Sequence, residues 1–163
     1  MGLDITKRLN LRQKIKIAII VTILGLISNG ISAFPLQTEL AIVIHKMKFL
    51  PTFLLDWLHT VYTAVTENNN KYPFMVYGYY WLGFAHFLIA IAFLGPLRDP
   101  IRNHWVIQWG MIAALLSVVM ALVIEPMREV PFFWALLDAA VAAAGFIVLW
   151  LCNRWIQKLI KMK

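Results

Sequence analysis

At 163 residues, of which 61% are hydrophobic and 14% charged, with a mean hydropathy of +0.74, the chain is too apolar for a soluble domain of its size to hide. The formal charge of +7 does not point to nucleic acid, because the basic residues flank apolar stretches instead of forming an aromatic-interleaved surface. A single cysteine, Cys152, excludes an intrachain disulfide, and no phosphate loop, glycine-rich dinucleotide turn or His-Glu metal motif occurs.

A helix needs about 20 apolar residues to cross the hydrocarbon layer. Four stretches meet that requirement, approximately 17–34, 74–94, 105–124 and 131–151. They predict an all-α integral membrane protein, a four-transmembrane-helix bundle forming one membrane domain. Proline marks the limits: Pro35, Pro96 and Pro126 follow spans, while Pro73 and Pro131 precede or open them, where a missing amide donor costs least.

The first span follows Lys7, Arg8, Arg12, Lys14 and Lys16 and carries Thr22, Gly25, Asn29 and Ser32 along one side. A basic start, an apolar run and the small residues Gly30, Ser32 and Ala33 also describe a secretory leader, the rival reading of this segment.

The connection 35–73 is too apolar for a solvated loop, and its central part, approximately 38–67, is expected to lie on the extracytoplasmic membrane surface. Leu54, Trp57, Leu58, Val61 and Val65 recur at helical spacing, with Thr52, Asp56, His59, Thr63 and Glu67 on the opposite stripe. This is an amphipathic helix, suited to an interface or to covering the mouth of a bundle. Leu40 to Ile44, ending in His45, Lys46 and Lys48 before Pro51, reads as the first half of a helical hairpin, and Asn68, Asn69, Asn70 and Lys71 as a polar turn. Asp56 and His59 are neighbours on a helix. They suit either a proton-handling or metal-binding pair or a hydrated helix face.

Within the remaining spans polar groups are few, and such groups in hydrocarbon normally face the protein interior. The second span carries His86, with Gly83 and Ala90 on the same face and Tyr79, Tyr80, Trp81, Phe84 and Phe87 around it in sequence. Gln108, Ser117 and Glu125 lie along the third, and Asp138 in the fourth. Gly110, Ala113, Ala114, Ser117 and Ala121 on the third, with Ala135, Ala139, Ala142, Ala143 and Gly145 on the fourth, predict a tight hairpin or a dimer interface.

Eleven of the fifteen basic residues fall at the two ends of the chain and in the loop holding Arg98 and Arg102; only Lys46, Lys48, Lys71 and Arg128 fall on the other side. Positive loops face the cytoplasm, which gives an N-in, C-in topology, and the expected location is the cell (inner) membrane. With that orientation Asn29 lies roughly 7 Å, Asp138 roughly 10 Å and His86 roughly 16 Å below the outer surface. Together with Glu125 they are expected to line an outward-facing cleft. A polar floor under aromatic walls suits a small lipophilic molecule such as a quinone, lipid or isoprenoid. The candidate ligand-binding residues are therefore His86, Asp138, Asn29, Glu125, Asp56, His59, Tyr79 and Trp81.

Three alternatives stand beside this. A structural or accessory subunit would use the small-residue faces alone. A bis-histidine haem protein would need two His86 residues across a homodimer, since no second histidine lies within a span. A membrane enzyme would use Asp56, His59, Glu125, Asp138 and His86 for acid-base or metal chemistry, although no pair has diagnostic spacing. The cytoplasmic basic clusters predict anionic lipid head groups as partners.

Overall fold

In the computed structural model, which describes residues 2–47 and 49–162 and side chains from Thr6 onward, all the regular structure is helical. In chain order the helices are α1 (Gly2–Ser32), α2 (Leu36–Lys46), α3 (Thr52–Lys71), α4 (Pro73–Ala92), α5 (Leu94–Arg98), α6 (His104–Val119), a π-helical turn (Met120–Ile124), α7 (Glu125–Met127) and α8 (Phe132–Lys161). Four helical stretches are long and apolar enough to cross a membrane: Thr6–Ser32, Pro73–Arg98, His104–Met127 and Phe132–Lys161. Leu24, Leu88, Ile91, Ile112, Leu116, Leu137 and Val141 are all exposed along them, an apolar surface of the kind a membrane span presents. The architecture is that of a polytopic membrane protein. Lys48 and Lys163, which contribute to the charge bias, lie outside the described residues.

The helices overrun the limits set by hydropathy alone. α1 includes the whole basic stretch from Lys7 to Lys16, and α8 continues through Arg154 and Lys158, because Lys and Arg are good helix formers that end an apolar run without ending a helix. The expected turn at Asn68–Lys71 is instead the last turn of α3. That helix stops only at Tyr72, whose position before Pro73 disfavours the helical region and whose amide bonds the Asn68 carbonyl.

Two prolines reshape spans from within. Pro96, expected beyond the second span, lies buried inside α5. It offers no amide to the carbonyl four residues back, and the helix breaks at Phe93. Pro126 likewise leaves the Leu122 carbonyl without its usual donor, and residues 120–124 widen into the π turn. The short link from α5 to α6 is built by side chains. Asp99 Oδ1 accepts from the amides of Ile101 (3.0 Å) and Arg102 (3.1 Å), and Asn103 Nδ2 donates to the carbonyls of Gly95 and Asp99.

The chain divides into two compact units, Met1–Gly25 with Ala90–Lys163, and Leu26–Ile89. In the first, α6 packs on α8. Gly110, Ala121, Ala135 and Ala139 are buried, and a Cβ on Gly110 would stand 2.8 Å from the Phe93 ring and 3.0 Å from Leu149. Of the small residues expected at this contact, Ser117 and Gly145 are exposed instead. Ser117 Oγ donates back to the Ala113 carbonyl (3.0 Å). The ends of this unit are tied by Arg8, whose guanidinium donates to the Met162 carbonyl, and by His104, whose Nε2 donates to Asn153 Oδ1.

In the second unit Gly30 of α1 and Gly83 of α4 lie backbone to backbone: a Cβ on Gly83 would come within 2.7 Å of the Gly30 carbonyl oxygen. Phe34 stacks on Tyr80 and Phe87 at centroid distances of 5.3 and 6.1 Å beside that crossing. Helices α2 and α3 form a hairpin fastened at its open end, where Gln37 Nε2 donates to Thr66 Oγ1 (3.1 Å) and Asn69 Nδ2 donates to Gln37 Oε1 (3.4 Å).

Candidate functional site

Glu125 and Asp138 stand side by side, close enough for their carboxyl groups to interact. Both side chains are half-buried. Asp138 lies on the face of α8 that also carries the buried Ala135 and Ala139, which turns it toward α6. Glu125 stands about five α-turns beyond the buried Ile107, so an uninterrupted helix would place it in the middle of the buried stripe. The π turn just before it accommodates an additional residue and swings it to the border of that stripe, against Asp138.

The loop behind the pair is tightly wound. The Val130 amide bonds the Glu125 carbonyl (3.1 Å), the Arg128 amide bonds those of Ile124 and Glu125, and Glu129 takes a left-handed conformation with φ 63°. No amide, amine or hydroxyl among the described residues donates to Glu125 Oε2, an enclosed atom whose side-chain neighbour is the Asp138 carboxyl. A hydrogen bond between two carboxyl groups requires a proton on one of them. A carboxyl pair that holds one proton offers both a donor and acceptors.

The sequence marks both acids as members of one cleft lining but does not pair them. Their direct contact follows from the π turn, and the only local signal for it is Pro126.

His86 is half-buried, and its Nδ1 donates to the carbonyl of Leu82 one turn earlier in α4 (2.8 Å). That bond fixes the tautomer and leaves Nε2 as the acceptor of the neutral ring. Trp81 is exposed and packs edge-on against Tyr77 and Phe84, while Tyr79 is half-buried. Asn29 is exposed. No polar or charged side chain among the described residues is fully buried. Asn29, Asp56, His59, Tyr79, Trp81 and His86 all belong to the unit 26–89, and Glu125 and Asp138 to the other.

Asp56 and His59 follow each other on α3 without a hydrogen bond between them; the Asp56 carbonyl accepts from the Thr60 hydroxyl (2.9 Å). His59 lies over α2, in an open groove of about 450 Å³ that it shares with His45, Tyr62, Ala41, Ile44 and Leu55. His45 and Tyr62 were not among the residues selected from sequence. The signal for them is the spacing of Leu55, His59, Tyr62, Thr66 and Asn69, a heptad-like seam that meets Gln37, Ala41 and Ile44 of α2. It runs beside the more conspicuous apolar stripe of Leu58 and Val65, which is buried. Among the described residues no three or more His, Cys, Asp or Glu side chains gather in a metal-binding arrangement.

No protein-family model matches this chain, and no curated protein or solved structure is significantly similar to it.

Proposed function

We propose that this polytopic membrane protein binds or moves a small lipophilic molecule with a hydrogen-bonding head, such as a quinone, a lipid or an isoprenoid alcohol, and that the Glu125–Asp138 pair is the anchor for that head. The contact between the two carboxyl groups carries this reading. In a hydrophobic span a carboxyl pair is costly to maintain for packing alone, and one proton between two carboxyls can both donate to a carbonyl or hydroxyl and accept from one. A ligand with one polar group needs an apolar site with a few placed polar atoms, and both acids lie on helices otherwise rich in apolar residues.

In this reading both termini lie in the cytoplasm, the protein sits in the cell membrane, and the 125–131 turn faces outward, so the acid pair opens to the external leaflet. The test is to purify the full chain in mild detergent and quantify co-purifying lipophilic molecules by mass spectrometry. Asp138→Asn and Glu125→Gln each replace one carboxyl by an amide of nearly the same shape. Each is expected to reduce the retained molecule by about tenfold, the worth of one good buried polar contact, with helical content unchanged. Equal retention in the wild type and both variants overturns the assignment.

A further inference from the structure

Where α1 begins and α8 ends, four lysines surround one opening. Lys7 and Lys14 of α1 and Lys158 and Lys161 of α8, with Asn10 between them, line an open pocket of about 440 Å³, with no acidic residue in its lining among the described side chains. Clustered like charges repel, and a pocket of that composition is most favourable when an anion occupies it. The pocket is held in shape by the bond from the Arg8 guanidinium to the Met162 carbonyl, which joins the two helix ends.

Lys14 also stands at the head of a second cavity. One helical turn deeper, a groove of about 250 Å³ runs between the same two helices, walled by Ile17, Val21, Val148, Leu151 and Trp155. It is almost wholly apolar and falls within the stretches able to span a membrane. A basic chamber at the helix ends that continues, past one shared lysine, into an apolar groove along the span matches a molecule with an anionic head and a hydrocarbon tail. A soluble phosphate would use the first cavity and leave the second without purpose.

We infer that the α1–α8 end of the protein is a binding site for an anionic glycerophospholipid, its phosphate held by Lys7, Lys14, Lys158 and Lys161 and one acyl chain laid in the groove between α1 and α8. The site uses none of the residues assigned to the lipophilic ligand above and stands or falls separately. The lysines supply the head-group selectivity, at an energy that accumulates with each basic residue near the phosphate. The groove supplies the distinction between a lipid and a free phosphate.

The experiment is a binding titration of the full chain in nonionic detergent with phosphatidylglycerol, with phosphatidylcholine of identical chains, and with glycerol 1-phosphate. Phosphatidylglycerol is expected to bind at least about tenfold more tightly than phosphatidylcholine, and glycerol 1-phosphate not to compete. The Lys7, Lys14, Lys158 and Lys161→Gln variant should lose the preference, and Val148→Trp, which fills the groove, should weaken phosphatidylglycerol binding. Raising salt on the wild-type protein should erode the preference without any substitution. Equal binding of the two phospholipids, an undiminished preference in the glutamine variant or at high salt, or full competition by glycerol 1-phosphate each overturns the proposal, the last in favour of a free-phosphate site.

Discussion

At the scale of single residues, the glycines separate by what surrounds them. A Cβ on Gly83 would meet the Gly30 carbonyl oxygen at 2.7 Å, and one on Gly30 would meet the Gly83 carbonyl oxygen at 2.9 Å. Backbone cannot step aside as a side chain can. Gly83→Ala should therefore destabilise the unit 26–89 by about 1–3 kcal/mol, the usual cost of overpacking. At Gly110 the obstructing atoms belong to Phe93 and Leu149 side chains, and alanine there should cost less than at Gly83. Gly25, Gly78 and Gly145 have nothing within 4 Å, so alanine at those positions is expected to be neutral or to stabilise by up to about 1 kcal/mol through helix propensity. Thermal unfolding of the five single variants in one detergent checks the order; a Gly83→Ala protein as stable as Gly145→Ala contradicts the close crossing. The importance of Gly83 cannot be read from its neighbours in sequence, since Gly78 sits in the same helix with the same apolar company and touches nothing.

At the scale of elements, the π turn connects a backbone irregularity to the candidate site. Its cause is local: Pro126 withholds the amide that the Leu122 carbonyl would accept in an α-helix. Its effect is on rotation, because Glu125 lies immediately after it. Pro126→Ala should let residues 120–124 close into regular α-helix and turn Glu125 away from Asp138 onto the face of Ile107. The expected result is a loss of retained lipophilic molecule comparable to that of Glu125→Gln, together with altered amide exchange limited to the 120–130 region. Unchanged exchange there would show that the wide turn does not depend on the proline. The α2–α3 hairpin makes a different point. Alternation of apolar and polar positions was sufficient to find both helices, yet His59 was placed on the hydrated stripe by that same alternation. In the structure this stripe includes the seam toward α2, and a histidine, an amide and hydroxyl groups occupy it, so hydropathy does not mark it.

At the scale of the whole molecule, the charge bias and the four apolar stretches lead to one experiment on topology. Reporter fusions after residue 163 and within the 46–51 turn are expected to give opposite signals, cytoplasmic for the first and external for the second. The same signal from both would overturn an odd number of crossings between those points, three in this topology, and the orientation with it. The two ends of the chain would then share one membrane face. That arrangement suits the lysines of α1 and α8, which line one pocket.

Hydropathy and length alone determined that four helices can cross a membrane, because the demand of a hydrocarbon layer for satisfied backbone groups and apolar side chains is one-dimensional and can be summed along the chain. The prolines, equally local in their effect, announced most of the helix limits. Which side chains meet was decided only in three dimensions. α6 is apolar nearly all round, so its pattern does not specify a rotation about its own axis. Glu125 therefore finds Asp138 through a widened turn, not through sequence spacing. Lys7 and Lys158 are separated by almost the whole chain and become neighbours only when α1 and α8 pack. Contacts of that kind depend on helix rotation and register, which lipid-facing and protein-facing apolar residues leave equally undefined until the helices are in place.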